Sequence, residues 1–90
     1  MARIKYFEAL NIAIYIYGEK NNPHHKKHLL VLKPDEHCQY GFDGMPMKGT
    51  SGLKRKEDRK VVESWIKQHQ SELDKAWDDI NNGINPGVID

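Results

Sequence analysis

Three histidines stand within five positions, His24, His25 and His28, and Lys26 and Lys27 lie between them. Imidazole is the side chain whose ordinary pKa lies nearest neutrality, so it can accept and return a proton at pH 7. Cleaving RNA through its 2′-hydroxyl needs such a group, and cations to steady the charge that gathers on phosphorus. A histidine beside two lysines supplies both parts. The catalytic candidates are therefore His24 and His25, with Lys26 and Lys27 holding phosphate. A second reading is metal binding, since imidazole and thiolate are the usual zinc ligands. A hairpin that returned His37 or Cys38 to His28 would make His24, His25, His28 and Cys38 the first ligands to test. The spacing fits no strong zinc signature, with no Cys-x-x-Cys pair and no His-Glu-x-x-His, so no metal or other cofactor is expected. The third reading is a polar loop facing solvent.

Charge adds a second cluster, Lys54-Arg55-Lys56 followed by Arg59-Lys60. Residues 1–60 carry twelve Lys/Arg against seven Asp/Glu, a balance of +5. Residues 61–90 carry two against six, a balance of −4, and the total is +1. Clustered cations are the footprint of a nucleic acid or another anionic partner. The plain alternative is a solvated basic face where a helix begins. Tyr15 and Tyr17 stand two apart, as rings that stack on bases from a sheet do. More often such a pair is ordinary cross-strand surface. No Gly-rich phosphate cradle and no Gly-x-Ser-x-Gly elbow occurs.

The elements that must position these groups follow from periodicity. Ile4 and Tyr6 alternate with Arg3 and Lys5, and Leu10, Ile12, Ile14 and Ile16 share one face, which predicts two strands turning near Glu8-Ala9. Residues 18–23, Gly-Glu-Lys-Asn-Asn-Pro, are loop chemistry, so the histidine cluster opens from a loop. His28 to Lys33 is the next strand, turned back by Pro34-Asp35-Glu36, and Cys38, Tyr40 and Phe42 mark another. Gly44 is a tight corner, and Met45-Pro46-Met47 suits a short edge strand, where Pro costs no ladder bond. Val62, Ile66, His69, Leu73, Ala76/Trp77 and Ile80 recur at three and four, with Trp65 widening the stripe. That predicts one long amphipathic helix from about Arg55 to Asn81, stopped by Asn82-Gly83, with a kink or break near Gln70 suggested by Ser71 and Asp74. The expected architecture is α+β, a mostly antiparallel meander of four to five strands under that helix. Trp65, His69 and Trp77 read as packing residues.

Ninety residues make one domain, here residues 1–83, with 84–90 as a tail whose three aliphatics suit docking on the sheet or on a partner. Charged residues are 30% of the chain, and no run approaches the roughly 18 apolar residues of a membrane span. The opening residues lack a secretory signal, and the one cysteine, Cys38, excludes an internal disulfide. A reducing, cytoplasmic setting is expected.

Asn22-Pro23-His24-His25-Lys26, Tyr40-Gly41-Phe42-Asp43-Gly44, and Val61 to Trp65 with His69, Glu72-Leu73 and Trp77 together carry a resemblance. The chain resembles, from about Ile4 to Ile80, a family of small bacterial proteins long catalogued as a domain of unknown function. Its members open with an aromatic hairpin, carry a Pro-Pro-His-x-His loop, and end in a helix with Trp, His, Glu-Leu and Trp at this spacing. Pro23 and His24 match the second proline and first histidine of that loop; Asn22 and Lys26 replace the first proline and second histidine. Members sit in gene pairs of toxin–antitoxin type, some as DhiT-type toxins, so the resemblance implies a toxin bound by a small antitoxin. Joined to the basic histidine loop, this predicts a toxin acting on RNA. The alternatives are a non-catalytic module binding nucleic acid or protein, and a metal-binding histidine loop.

Overall fold

The computed structural model describes residues 2–18, 27–47 and 51–89. Among them strands β1 (Ala2–Phe7), β2 (Ile12–Ile16), β3 (His28–Lys33) and β4 (Glu36–Gly41) precede helices α1 (Lys56–Gln68) and α2 (Gln70–Asn81). The strands form one antiparallel sheet in the order β1-β2-β3-β4, so the architecture is α+β as expected. The β-branched positions of β2 set its register: Ile14 stands opposite Val31, and Val31 opposite Cys38. Ile12, Ile14, Ile16, Leu29, Val31 and Tyr40 then point to one face and are fully buried. Val62, Trp65, Ile66, Leu73 and Ala76 of the helices complete that core. Each such aliphatic contributes on the order of 1.5–3 kcal/mol by leaving water.

Alternation fails in one place. A bulge between Arg3 and Lys5 shifts the β1–β2 register, so Phe7 pairs with Ile12 and Tyr6 with Ala13. Ile4 stays buried, but Tyr6 turns outward, 41% exposed, and donates its phenol proton to Asn11 Oδ1 at 2.7 Å. Phe7 takes the inward place and meets the Trp65 ring edge-on at 6.2 Å. An extra residue on one strand reverses the faces of everything after it.

The single long helix is corrected to two. His69 leaves the helical region at φ −120° and ψ 32°, one residue before the break suggested by Ser71 and Asp74. The carbonyls freed by the break find partners, as helix ends require. His69 Nδ1 lies 2.7 Å from the Trp65 carbonyl, and the Gln70 amide donates to the Ile66 carbonyl at 2.8 Å and also to that of Phe42. The His69 ring stacks on Trp65 at 4.7 Å. The apolar stripe runs through the break, which is why periodicity alone joined the two pieces. Helix α2 stops at Gly83, whose φ of 77° is left-handed, with Ile84 N–H reaching back to the Asp79 carbonyl at 2.8 Å.

Both sheet edges are covered. Pro46 forms an isolated bridge with Tyr40 beside β4, the edge position expected of a strand proline. At the other edge Ile89 is buried and donates its N–H to the Ile4 carbonyl at 2.7 Å, so the tail returns to the bulge of β1. The approach to α1 is fixed by Tyr40, whose hydroxyl accepts the Leu53 N–H at 3.1 Å. A Cβ on Gly52 would stand 2.7 Å from that hydroxyl, so the close approach requires glycine.

Candidate nucleic-acid interface

His24, His25 and Lys26 lie outside the described residues, which show instead the two flanks of their segment. Tyr17 follows β2 and His28 opens β3; continuing the register of Tyr15 with Leu30 by two residues sets them opposite each other. Their side chains are joined, Tyr17 Oη to His28 Nε2, at 2.6 Å, with the rings edge to face at 5.2 Å. His28 is 5% exposed, with the Trp77 ring 6.0 Å away, and Trp77 in turn meets Phe42 at 5.9 Å. A Cβ on Gly18 would come within 3.3 Å of Asn81 Oδ1, so the exit from β2 lies against the last turn of α2. Lys27 is bound to the same helix, its ammonium 3.2 Å from Asp74 Oδ1. Both flanks of residues 19–26 are therefore tied to α2.

The second basic cluster is elsewhere. Lys33, at the far end of β3, donates to Asp58 Oδ2 at 2.8 Å in the first turn of α1. Six strand residues separate the two ends by about 20 Å. Lys54, Arg55 and Lys56 are exposed at that far end, and Lys60 is exposed one turn into α1. Arg59 is occupied, donating through Nη1 to the Leu53 and Lys54 carbonyls at 2.9 and 3.2 Å, which closes the chain into the helix. Lys27 and the second cluster are thus at opposite ends of the sheet. Beneath Lys54 is a buried charge group that periodicity did not reveal. Glu36 accepts the Lys54 N–H at 2.8 Å, and its other oxygen is 4.0 Å from the Lys33 ammonium. The hydrogen bond to Asp58 raises the Lys33 pKa above its ordinary 10.5. Asp58 Oδ1 is buried without a protein partner among the described residues. Its place in the first turn of a helix, where the dipole favours an anion, offsets part of that cost. A lysine and an aspartate 25 positions apart carry no local signal.

Cys38 does not approach His28. It pairs with Val31 on the core face, three ladder positions from the His28–Gly41 pair, while His28 Nε2 is engaged by Tyr17. Burial pushes the Cys38 thiol pKa up, away from the thiolate a metal or electrophile needs. His37 is exposed on the opposite face, and no group of three His, Cys, Asp or Glu among the described residues is arranged to hold a metal. Of the two tyrosines proposed as stacking rings, Tyr17 is committed to His28, and Tyr15 is half-buried opposite Leu30 and Arg3.

No described helix is long and apolar enough to cross a membrane. No curated protein and no solved structure matches the chain. The family model for a domain of unknown function, DUF4160, matches residues 11–78, from the turn before β2 to the last turns of α2. With β2 to β4, the histidine segment, α1 and most of α2 inside that span, the chain belongs to the DUF4160 family of domains of unknown function.

Proposed function

We infer that this protein is the toxin of a bacterial toxin–antitoxin pair, acting on RNA in the cytoplasm and neutralised by a small partner antitoxin. The observation that carries this reading is the Tyr17–His28 bond, which joins the two flanks of the segment holding His24, His25 and Lys26. A catalytic segment needs such a base, because reacting groups act only when held in register with the substrate. Pro23 and His24 keep two positions of the Pro-Pro-His-x-His loop, and Lys27 follows. In this mechanism His24 and His25 divide the work of base and acid. One takes the 2′-hydroxyl proton as that oxygen attacks phosphorus. The P–O5′ bond breaks, leaving a 2′,3′-cyclic phosphate, and the other histidine protonates the departing 5′-oxygen. Lys26 and Lys27 steady the charged phosphorus centre. RNA that displaces Asp74 from Lys27 recovers the lysine for phosphate, and their exposures of 41% and 56% leave that pair open to exchange.

Expression of the protein should arrest growth, and the adjacent small gene should relieve it. Unimpeded growth at full expression defeats the reading. A non-catalytic nucleic-acid or protein-binding module is the alternative, favoured by the exposed Lys54, Arg55 and Lys56 lying far from Lys27. RNA retained but uncut, with His24→Ala as toxic as the wild type, would select it.

A further inference from the structure

Among the described residues the core-facing side of the sheet is covered by α1 and α2, and the other side is open away from the Tyr17–His28 pair, which meets Trp77. Two cross-strand rows lie on it: Arg3, Tyr15, Leu30 and Gln39 in one, Tyr6, Ala13, Leu32 and His37 in the other. None of these side chains belongs to the buried core, and among the described residues no second layer is built over them. Neither row contains an acid. Arg3 lies over the Tyr6 ring at 5.2 Å, so a guanidinium and a phenol are stacked on β1. Tyr6 is held by Asn11, while its cross-strand neighbour is the small Ala13, which leaves a shelf beside the exposed ring. The acidic charge lies on the other layer: α2 carries Glu72, Asp74, Asp78 and Asp79 against Lys75. An anion is thus repelled from the exposed face of α2, whereas the two sheet rows offer it the Arg3 cation and no opposing acid.

We propose that this open face binds single-stranded RNA, with bases stacking on Tyr6 and Tyr15 and a phosphate beside Arg3. The chemistry suits a single strand because its unstacked bases present flat π-faces to aromatic rings on a sheet. The half-exposed Gln39 amide supplies a donor and an acceptor for a base edge in the Tyr15 row. A protein occupant would need carboxylates placed for Arg3 alone and would leave the Tyr6 shelf to apolar contact. The RNA uses ring, shelf and cation together. This rests on the reading that the protein acts on RNA, and it assigns the substrate a track separate from the histidine segment.

The test is fluorescence anisotropy of a fluorescein-labelled, mixed-sequence single-stranded RNA 12-mer, in 50 mM and 200 mM salt, with thermal melting of every variant. Base–aromatic stacking is worth enough that Tyr6→Ala and Tyr15→Ala should each weaken binding roughly ten-fold. Tyr6→Phe keeps the ring and should bind like the wild type, although it loses the bond to Asn11. Arg3→Gln should weaken binding and reduce the salt slope by about one phosphate contact. If Tyr15→Ala melts early, Tyr6→Ala and Tyr6→Phe carry the test, since the Tyr6 ring is the more exposed. Wild-type protein that binds no RNA in 50 mM salt overturns this proposal and the RNA reading together. Wild-type binding that Tyr6→Ala leaves unchanged overturns the proposal alone. So does a Tyr6→Ala variant that keeps RNA but no longer binds the product of the adjacent gene.

Discussion

The Tyr17 phenol and the His28 imidazole share a 2.6 Å hydrogen bond across the root of the segment that carries His24 and His25. His28 itself is buried against the Trp77 ring. Tyr17→Phe removes the hydroxyl and leaves a buried imidazole nitrogen without this partner. The cost should be about 1–3 kcal/mol, read by urea denaturation. A stability unchanged within error would show that the bond does not form in solution.

His24→Ala should behave in the opposite way. Its melting temperature should stay near that of the wild type, while RNA cleavage falls by roughly 10²–10⁴-fold, the usual contribution of acid–base catalysis. Growth arrest on expression should disappear with it, and His25→Ala should follow the same course. Full toxicity from His24→Ala would place the chemistry at other residues.

The exposed cations at the start of α1 predict salt dependence of nucleic-acid binding. Neutralising about four phosphates gives a log–log slope of roughly −3 to −4. Removing Lys54, Arg55 and Lys56 together should flatten it with little change in melting. Arg59→Ala should instead lower stability, because its guanidinium holds the Leu53 and Lys54 carbonyls. Equal slopes for the triple variant and the wild type would remove this cluster from the interface.

The Lys33–Asp58 bond sets an alkaline limit. The folded pKa of Lys33 is raised above 10.5, chiefly by that hydrogen bond, so folding favours the protonated form. Its stabilising contribution is complete below the unfolded value and is lost as pH rises through the folded one. Denaturation midpoints should therefore fall above about pH 10.5 in the wild type. That part of the fall should be missing from a Lys33→Met, Asp58→Asn double variant. A wild-type midpoint that stays level through this range would show that the bond does not couple to folding.

Trp77 is half-buried, not enclosed, although its edge-on contact with Phe42 at 5.9 Å anchors α2 to the sheet. Trp77→Ala should accordingly cost less than the roughly 3–5 kcal/mol of a fully buried ring. Leu73→Ala, at a fully buried position, should cost about 2–5 kcal/mol. A larger loss from Trp77 than from Leu73 would mean that the helix end is closed more tightly than its exposure implies.

The strands were legible because inward isoleucines at every second position of β2 fix a register, and Pro46 and Gly83 mark an edge and a stop through backbone chemistry. Tyr6 was misplaced because a bulge is one residue of backbone geometry with no side-chain signature in Arg3-Ile4-Lys5. The break at His69 was foreshadowed by Ser71 and Asp74, but the apolar spacing passes through it undisturbed. The charge pairs were illegible for a different reason. Lys27 meets Asp74 across 47 positions, and only the fold decides which of many oppositely charged residues become neighbours. The separation of Lys27 from the cations at the start of α1 follows from the same fact, since composition records how many cations a chain has and not where a strand carries them.

The bond from Ile89 to the Ile4 carbonyl has a temporal side. Translation delivers β1 early and its cover nearly the whole described chain later. At about 5–20 residues per second this leaves the strand's outer edge without that partner for roughly 5–20 seconds. During this interval neighbouring nascent chains on the same message are the nearest competitors for its free backbone groups. The irregular step at Ile4 interrupts the row of donors and acceptors that such a chain would need, as bulged edges do. The bulge that moves Tyr6 to the open face thus also makes β1 a poorer template for a second copy until Ile89 arrives.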